Sequence, residues 1–364
     1  MLFRLPLLLA LAWLFCAPVA AVSAEVVLLH SESGPTRWNQ RLGEGLTREL
    51  GDAAAVRQVF LKADGTDEDA YDEVYRKLAE ALAGDAPEVV VADGPVAFAF
   101  ARKYGGLLFG QAPTIFCGMA RPDPQEMAEC GACTGIPEGY AVKGSVDLIF
   151  AMRPDTRLVV AVADGGPETV PFMDAVNLAM KSHFDRAQVM FPGFEPGDER
   201  RLSLKELGDT LASVPSTGAV LFLGFGEDRD GNPVSDEELA ALIRERAAAP
   251  VYLLSDGLLG SGAVGGLLVT ARDVGADAAR LAKRVLGGES VSEMLPQATR
   301  PKLHFDGTAL ARYGMKAPEG AEVINPPVGR VEERSVLPVT GLAWAMGLAF
   351  AVALLMLLRR RYRP

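Results

Sequence analysis

Short runs of almost wholly apolar residues recur through this chain, and each gives way to small polar residues. VVLLH (26–30), VRQVFL (56–61), VVVAD (89–93) and TIFCG (114–118) make a first set. A strand that faces solvent on one side alternates apolar and polar residues; one that is apolar throughout suits a parallel sheet covered by helices on both faces. Between the second and third runs, Tyr71, Val74, Tyr75, Leu78 and Leu82 share one helical face, with Thr66 and Asp69 placed to cap it. The pattern then repeats: RLVVAVAD (157–164), QVMF (188–191), AVLFLG (219–224) and VYLLSD (251–256), with helical stretches between, one opened by a capping box at Ser235 and Glu238. No short-period repeat or low-complexity tract interrupts residues 25–327. The expectation is α/β, in two units.

The strands run into HSESG, DGPVA, CGM, DGGPE, GFGED and SDGLLG. In doubly wound sheets ligands bind at the carboxyl ends of strands, where helix N-termini present free N–H groups. Two such edges facing each other would make a cleft for a small polar solute, and the helix N-termini suggest one with a negative group, such as an amino acid or other carboxylate. Gly and Asp also serve as ordinary turn and capping residues at these places.

The two ends of the chain set its address. MLFR, the apolar run 5–21 and small residues at Val22 and Ala24 read as a secretory signal peptide cleaved after Ala24. Residues 341–358 are uncharged and apolar, and as a helix would reach roughly 27 Å, enough for a bilayer core. Arg359, Arg360, Arg361 and Arg363 follow at once, which places the last residues in the cytoplasm and the bulk of the chain outside. The motif LPVTG just before the span matches the signal that sortases cut between Thr340 and Gly341; a retained anchor is the preferred reading. Without Arg4 and the terminal arginines the outer region is more acidic than the −11 of the whole chain, which disfavours nucleic acid as a partner.

Cys117 sits in an apolar run and reads as a buried strand residue. Cys130 and Cys133, in CGAC, either close a small disulfide in a loop or stay as thiols, and an oxidising compartment favours the disulfide. His30, His183 and His304 stand apart in sequence, so no metal site is expected. The stretch 226–237 has Asp228, Asp230, Gly231 and Glu237 at calcium-loop spacing, but Gly226 occupies the first ligand position and Pro233 an apolar one. GLLGSGAVGG lacks the Lys-Ser/Thr of a phosphate loop, and Ser31 lacks a nucleophile elbow. An enzyme would need a paired acid, base or nucleophile that the sequence does not offer.

The stretches VLLHSESGPTRWNQRLGEGLTREL, VVVADGPVAFAFARKYGGLLFGQAPTIFCGM, KGSVDLIFAMRPDTRLVVAVAD and VYLLSDGLLGSGAVGGLLVTARDVGADAARLAKRVLGGE resemble the ABC-transporter substrate-binding domain. That domain occurs as free periplasmic components and as the outer sensor region of bacterial histidine kinases and diguanylate cyclases. The resemblance implies a two-lobed periplasmic-binding-protein fold with three hinge crossings, each lobe a mainly parallel sheet covered by helices. It implies ligand-binding positions at His30, Ser31, Trp38, Asp93, Gly94 and Cys117 on one lobe, and at Asp164, Gly165, Gly224, Phe225, Ser255 and Asp256 on the other. The expected organisation is a signal peptide (1–24), lobe 1 (25–138), lobe 2 (139–255), a return to lobe 1 (256–292), a return to lobe 2 (293–327), a linker (328–340), a transmembrane helix (341–358) and a tail (359–364). The tail RRRYRP holds no kinase or cyclase, so an ABC permease or a separate sensor kinase is the expected partner. No cofactor is expected.

Overall fold

The structure, a computed structural model, describes residues 24–326 except 33, 62–67, 83–85, 167–168 and 195–199. The expected signal peptide, the Thr66 cap, the linker with Thr340 and Gly341, the membrane span and the tail lie outside the described residues. Among the described residues no helix is long and apolar enough to cross a membrane.

The first sheet has five parallel strands: β1 (Ala24–His30), β2 (Ala54–Phe60), β3 (Val89–Asp93), β4 (Thr114–Cys117) and β5 (Cys133–Ile136). Their order is β2-β1-β3-β4-β5. Every residue of β3, β4 and β5 is buried, as the apolar runs require. Helices α1 (Arg37–Leu50), α2 (Glu68–Leu82), α3 (Pro95–Leu108) and α4 (Pro124–Cys130) connect the strands. On the predicted face of α2, Leu78 and Leu82 are buried, with Val74 and Tyr75 packed beside them.

After α5 (Val142–Met152), the second sheet takes β6 (Leu158–Ala163), β7 (Gln188–Met190), β8 (Gly218–Gly224), β9 (Val251–Leu253) and β10 (Gly265–Leu268), with α6 (Val170–Met180), α7 (Leu204–Ser213) and α8 (Asp236–Arg246) between them. The long helix α9 (Ala271–Leu286) follows, then β11 (Lys302–Asp306), α10 (Gly307–Arg312) and β12 (Glu322–Ile324). The order is β12-β11-β10-β9-β8-β6-β7, all parallel except the β10–β11 pair. The five strands β7-β6-β8-β9-β10 repeat the first sheet's pattern, so each sheet reverses its direction of growth once, between β1 and β3 and between β6 and β8.

The chain passes between the sheets after β5, after β10 and before β11. The second passage comes later than Asp256, where the return to lobe 1 was expected, because β10 still belongs to the seven-stranded sheet. Its sequence, GGLL, carries too little apolar bulk to read as a strand. Helix α9 then joins the first lobe: Val274, Ala278, Ala279 and Ala282 are buried in the same core as Val26, Leu28, Val89 and Ile115. It lies close against α1, where a methyl group on Gly45 would overlap the carbonyl oxygen of Arg272 and one on Gly275 that of Leu42. Only glycine allows two helix backbones to approach this closely.

Candidate ligand-binding site

Both points of reversal fall at strand carboxyl ends, where ligands of doubly wound sheets bind. At the first, His30 closes β1 and Asp93 closes β3. Both are buried, and His30 Nδ1 lies 2.8 Å from Asp93 Oδ2. The other ring nitrogen, Nε2, lies 3.1 Å from Gln58 Oε1. Trp38, the second residue of α1 and half-buried, donates its indole N–H to Asp93 Oδ1 across 3.4 Å. A long apolar side chain with a polar tip suits this half-wet position.

Ser31 does not stand free. Its hydroxyl donates to the Asp93 carbonyl at 2.8 Å and accepts the Ala97 N–H at 3.0 Å, which closes the first turn of α3. Neither bond goes to His30, so Ser31, His30 and Asp93 do not form a nucleophilic relay, which needs base and hydroxyl in contact. Gly94 is the N-cap of α3 with φ 91°, and a side chain there would strike Ser31 Oγ. Cys117 is buried at the end of β4; burial pushes its thiol well up, and the carboxylates of Asp93 and Glu32 add to the effect. Glu32 is itself raised, first by desolvation of its carboxyl and then by Asp93. His30, Glu32 and Asp93 bring one donor atom each within 4.8 Å of one another. Both nitrogens of His30 are already engaged, by Asp93 and Gln58, while Glu32 accepts from Asn39 Nδ2 at 3.5 Å instead.

At the second reversal the predicted residues divide. Asp164 braces two loops: Oδ1 accepts from Gly166 N and Thr169 Oγ1, each at 2.9 Å, and Oδ2 accepts from Gly226 N at 2.9 Å. Gly165, at φ 74°, passes under the ring of Phe194 where a side chain would clash. Gly224, Phe225 and Ser255 line a cavity of about 250 Å³ at the ends of β8 and β9, together with Tyr140, Asp236 and Leu258. Phe225 is buried, so it forms the floor.

Asp256 has a different task. It is buried, Oδ1 accepts the Ala271 N–H at the start of α9, and Oδ2 meets Arg41 of the first lobe at 2.7 Å. Beside it, Arg37 Nε lies 3.6 Å from Glu237. These pairs join α1 to the second lobe across the cleft.

Tyr140 and Asp236 line the cavity and were not picked out from the sequence. Asp236 is hidden inside the capping box, where Ser235 and Glu238 already close the first turn of α8. A further carboxyl there, unneeded for capping, was the available signal. The expectation of an anionic ligand at helix N-termini meets the same fact from the other side: Thr36, Ser31 and Ser235 fill those positions on α1, α3 and α8.

Cys130 and Cys133 are joined by a disulfide, though not inside a loop: Cys130 ends α4 and Cys133 begins β5. The calcium-like spacing at 226–237 is a turn in which Asp228 Oδ1 accepts from the backbone of Asp230 and Asn232, both at 2.9 Å.

No protein-family model matches the chain, and a search of curated proteins finds no match. Solved structures do. An ABC domain from Streptococcus pneumonia in complex with L-Trp aligns with 83% of this chain and 100% of its own, at 14% identity and a TM-score of 0.54. The ligand-free, open form of a substrate-binding protein with adhesive properties from Clostridium difficile aligns with 83% and 99% at 14% identity and a TM-score of 0.56. A conserved domain protein from Vibrio cholerae aligns with 83% and 99% at 16% identity and a TM-score of 0.53. The chain therefore has the two-sheet, mainly parallel fold of substrate-binding proteins.

Proposed function

We propose that this protein is an extracytoplasmic solute-binding protein of the ABC-transporter substrate-binding type, tethered to the membrane by residues 341–358. It captures a small solute between its lobes, for delivery to a permease or for sensing through a partner kinase. The observation that carries this reading is the pair of matched reversal points, His30 with Asp93 and Ala163–Asp164 with Gly224, on two sheets joined by three crossings. A fold alone does not fix a function. What favours binding over catalysis is that the hydroxyl of Ser31 is used in capping, and that of the relatives in fold named above one is described as a substrate-binding protein and another holds L-Trp.

A thermal-shift screen of the purified full-length protein against amino acids, organic acids, amines, nucleosides and sugars tests it, since a ligand of the folded state raises the melting temperature. One class is expected to shift the midpoint by several degrees at saturating concentration. No shift with any class, and no solute released on denaturing the purified protein, would overturn the reading.

A second reading is favoured by LPVTG: sortase cleavage after Thr340 would make a surface-attached protein with a structural or adhesive role. Intact mass of the native protein separates the two, because a retained anchor keeps residues 341–364.

A further inference from the structure

We propose that the solute carries a cationic amino group on an apolar body and that Asp236 supplies its counter-charge; this rests on the receptor reading above. Three observations lead there.

In the first turn of each of α1, α3 and α8 one N–H is already taken by a side chain, so an anion would meet a partly used set of donors. Ala97 N–H goes to Ser31, Glu238 N–H to Ser235, and Asn39 N–H to Thr36. Two rim turns are closed by carboxylates: Ala271 N–H by Asp256, and Gly166 and Gly226 N–H by Asp164. Helices α5 and α6 begin without a side-chain cap, but the Val142 N–H bonds Tyr140 O, the Val170 N–H bonds Gly166 O, and Pro171 has none to offer.

The cations that approach the rim are also matched. Arg41 holds Asp256, Arg37 lies beside Glu237, and Arg201 reaches Glu227 at 3.2 Å and Gly165 O at 3.4 Å. A carboxylate solute would have to compete with these carboxylates for a cation.

Asp236, by contrast, stands on the cavity wall, partly buried, and makes no hydrogen bond or ion pair with a described residue. Burial and then the neighbouring Glu237 push its carboxyl above the ordinary range, against the weaker pull of Arg37 and Arg41. A desolvated carboxyl of this kind gains most from an ammonium group that enters with its own hydrogen-bond donors. The rest of the wall, including Tyr140, Phe222, Leu253 and Leu258, suits an apolar body. The volume of about 250 Å³ lies below the usual drug-sized range, so the body is small.

Isothermal titration of the full-length protein with 2-phenylethylamine, phenylacetate and 2-phenylethanol holds the skeleton constant and varies the charge; hexylamine, hexanoate and hexanol repeat the comparison without the ring. The amines are expected to bind at least tenfold tighter than the matching anions. Asp236→Asn should weaken amine binding about 10- to 100-fold, the range for loss of a charged hydrogen bond. Asp236→Glu should retain most of it, and melting curves of both variants report on folding. Amine affinity should fall as pH is lowered into the range where Asp236 takes up a proton. Anions binding as tightly as amines, or amine affinity unchanged in a folded Asp236→Asn, overturns the proposal, and the wild-type preference decides even if that variant does not fold. Binding of anions or sugars alone sinks this inference and leaves the receptor reading standing; no binding of any class sinks both.

Discussion

Arg41 Nη1 sits 2.7 Å from Asp256 Oδ2 and 2.9 Å from the Asp256 carbonyl oxygen, so a helix of the first lobe grips the chain of the second between β9 and β10. Asp256 belongs to the joint between lobes, and its removal should be felt as lost stability. Asp256→Ala strands Arg41 and also frees the buried N–H of Ala271. It is expected to cost about 2 kcal/mol, below the range for a fully buried pair because Arg41 is a third exposed. Arg41→Met leaves Asp256 one of its partners and should cost less. Urea denaturation of both variants checks the order, and equal losses would show that the α9 cap contributes nothing.

Asp93→Ala leaves His30 Nδ1 and the Trp38 indole without their acceptor in a buried setting. The expected loss is roughly 1–3 kcal/mol, a few degrees in melting temperature for a protein of this size. A melting point unchanged within a degree would mean that water replaces the carboxylate.

The cysteines should react in a fixed pattern. Cys117 is buried and its thiol is held protonated, so it should resist alkylation at pH 8 and react once the protein is unfolded. Cys130 and Cys133 should be recovered as a disulfide. Their loop is far shorter than the 15 residues that correspond to about 3 kcal/mol, so replacing both with Ala should cost less than that. Peptide mapping after alkylation, with and without denaturant, tests both statements.

Glu206 caps α7 by accepting from the backbone N–H and hydroxyl of Ser203, with Arg229 at 3.0 Å, and its carboxyl is lowered to about 2. A carboxyl depressed in the folded state favours folding above its unfolded value of 4.5, and that contribution is lost as pH falls from there through about 2. Carboxyl NMR titration should place its midpoint near 2, and Ser203→Ala should move it up toward 4.5. A midpoint near 4.5 in the unaltered protein would contradict the geometry.

The parts of this fold that sequence reveals are those where one residue type does one job. VVVAD reads as β3 because all five residues are buried. CTGI, fully buried as β5, and GGLL, between two strands as β10, are missed because glycine and threonine stand where bulk would signal a strand. The same holds at the site. His30, Asp93, Asp164 and Gly224 could be placed at strand ends from local pattern alone, yet which carboxylates are free and which are braces depends on partners far along the chain. Arg41 and Asp256 are 215 residues apart, and nothing near either one announces the other.

The close contact of α1 with α9 also sets an order of events during synthesis. Arg272 and Glu44, paired across that contact, are 228 positions apart, and the first lobe's core stays open on one side until α9 has emerged. Loops of this length are slow to close, so the early part of the chain waits as a partly formed sheet with exposed apolar surface. A chain that cannot finish its first lobe until its last third exists must complete both lobes nearly together, rather than one after the other as it is made.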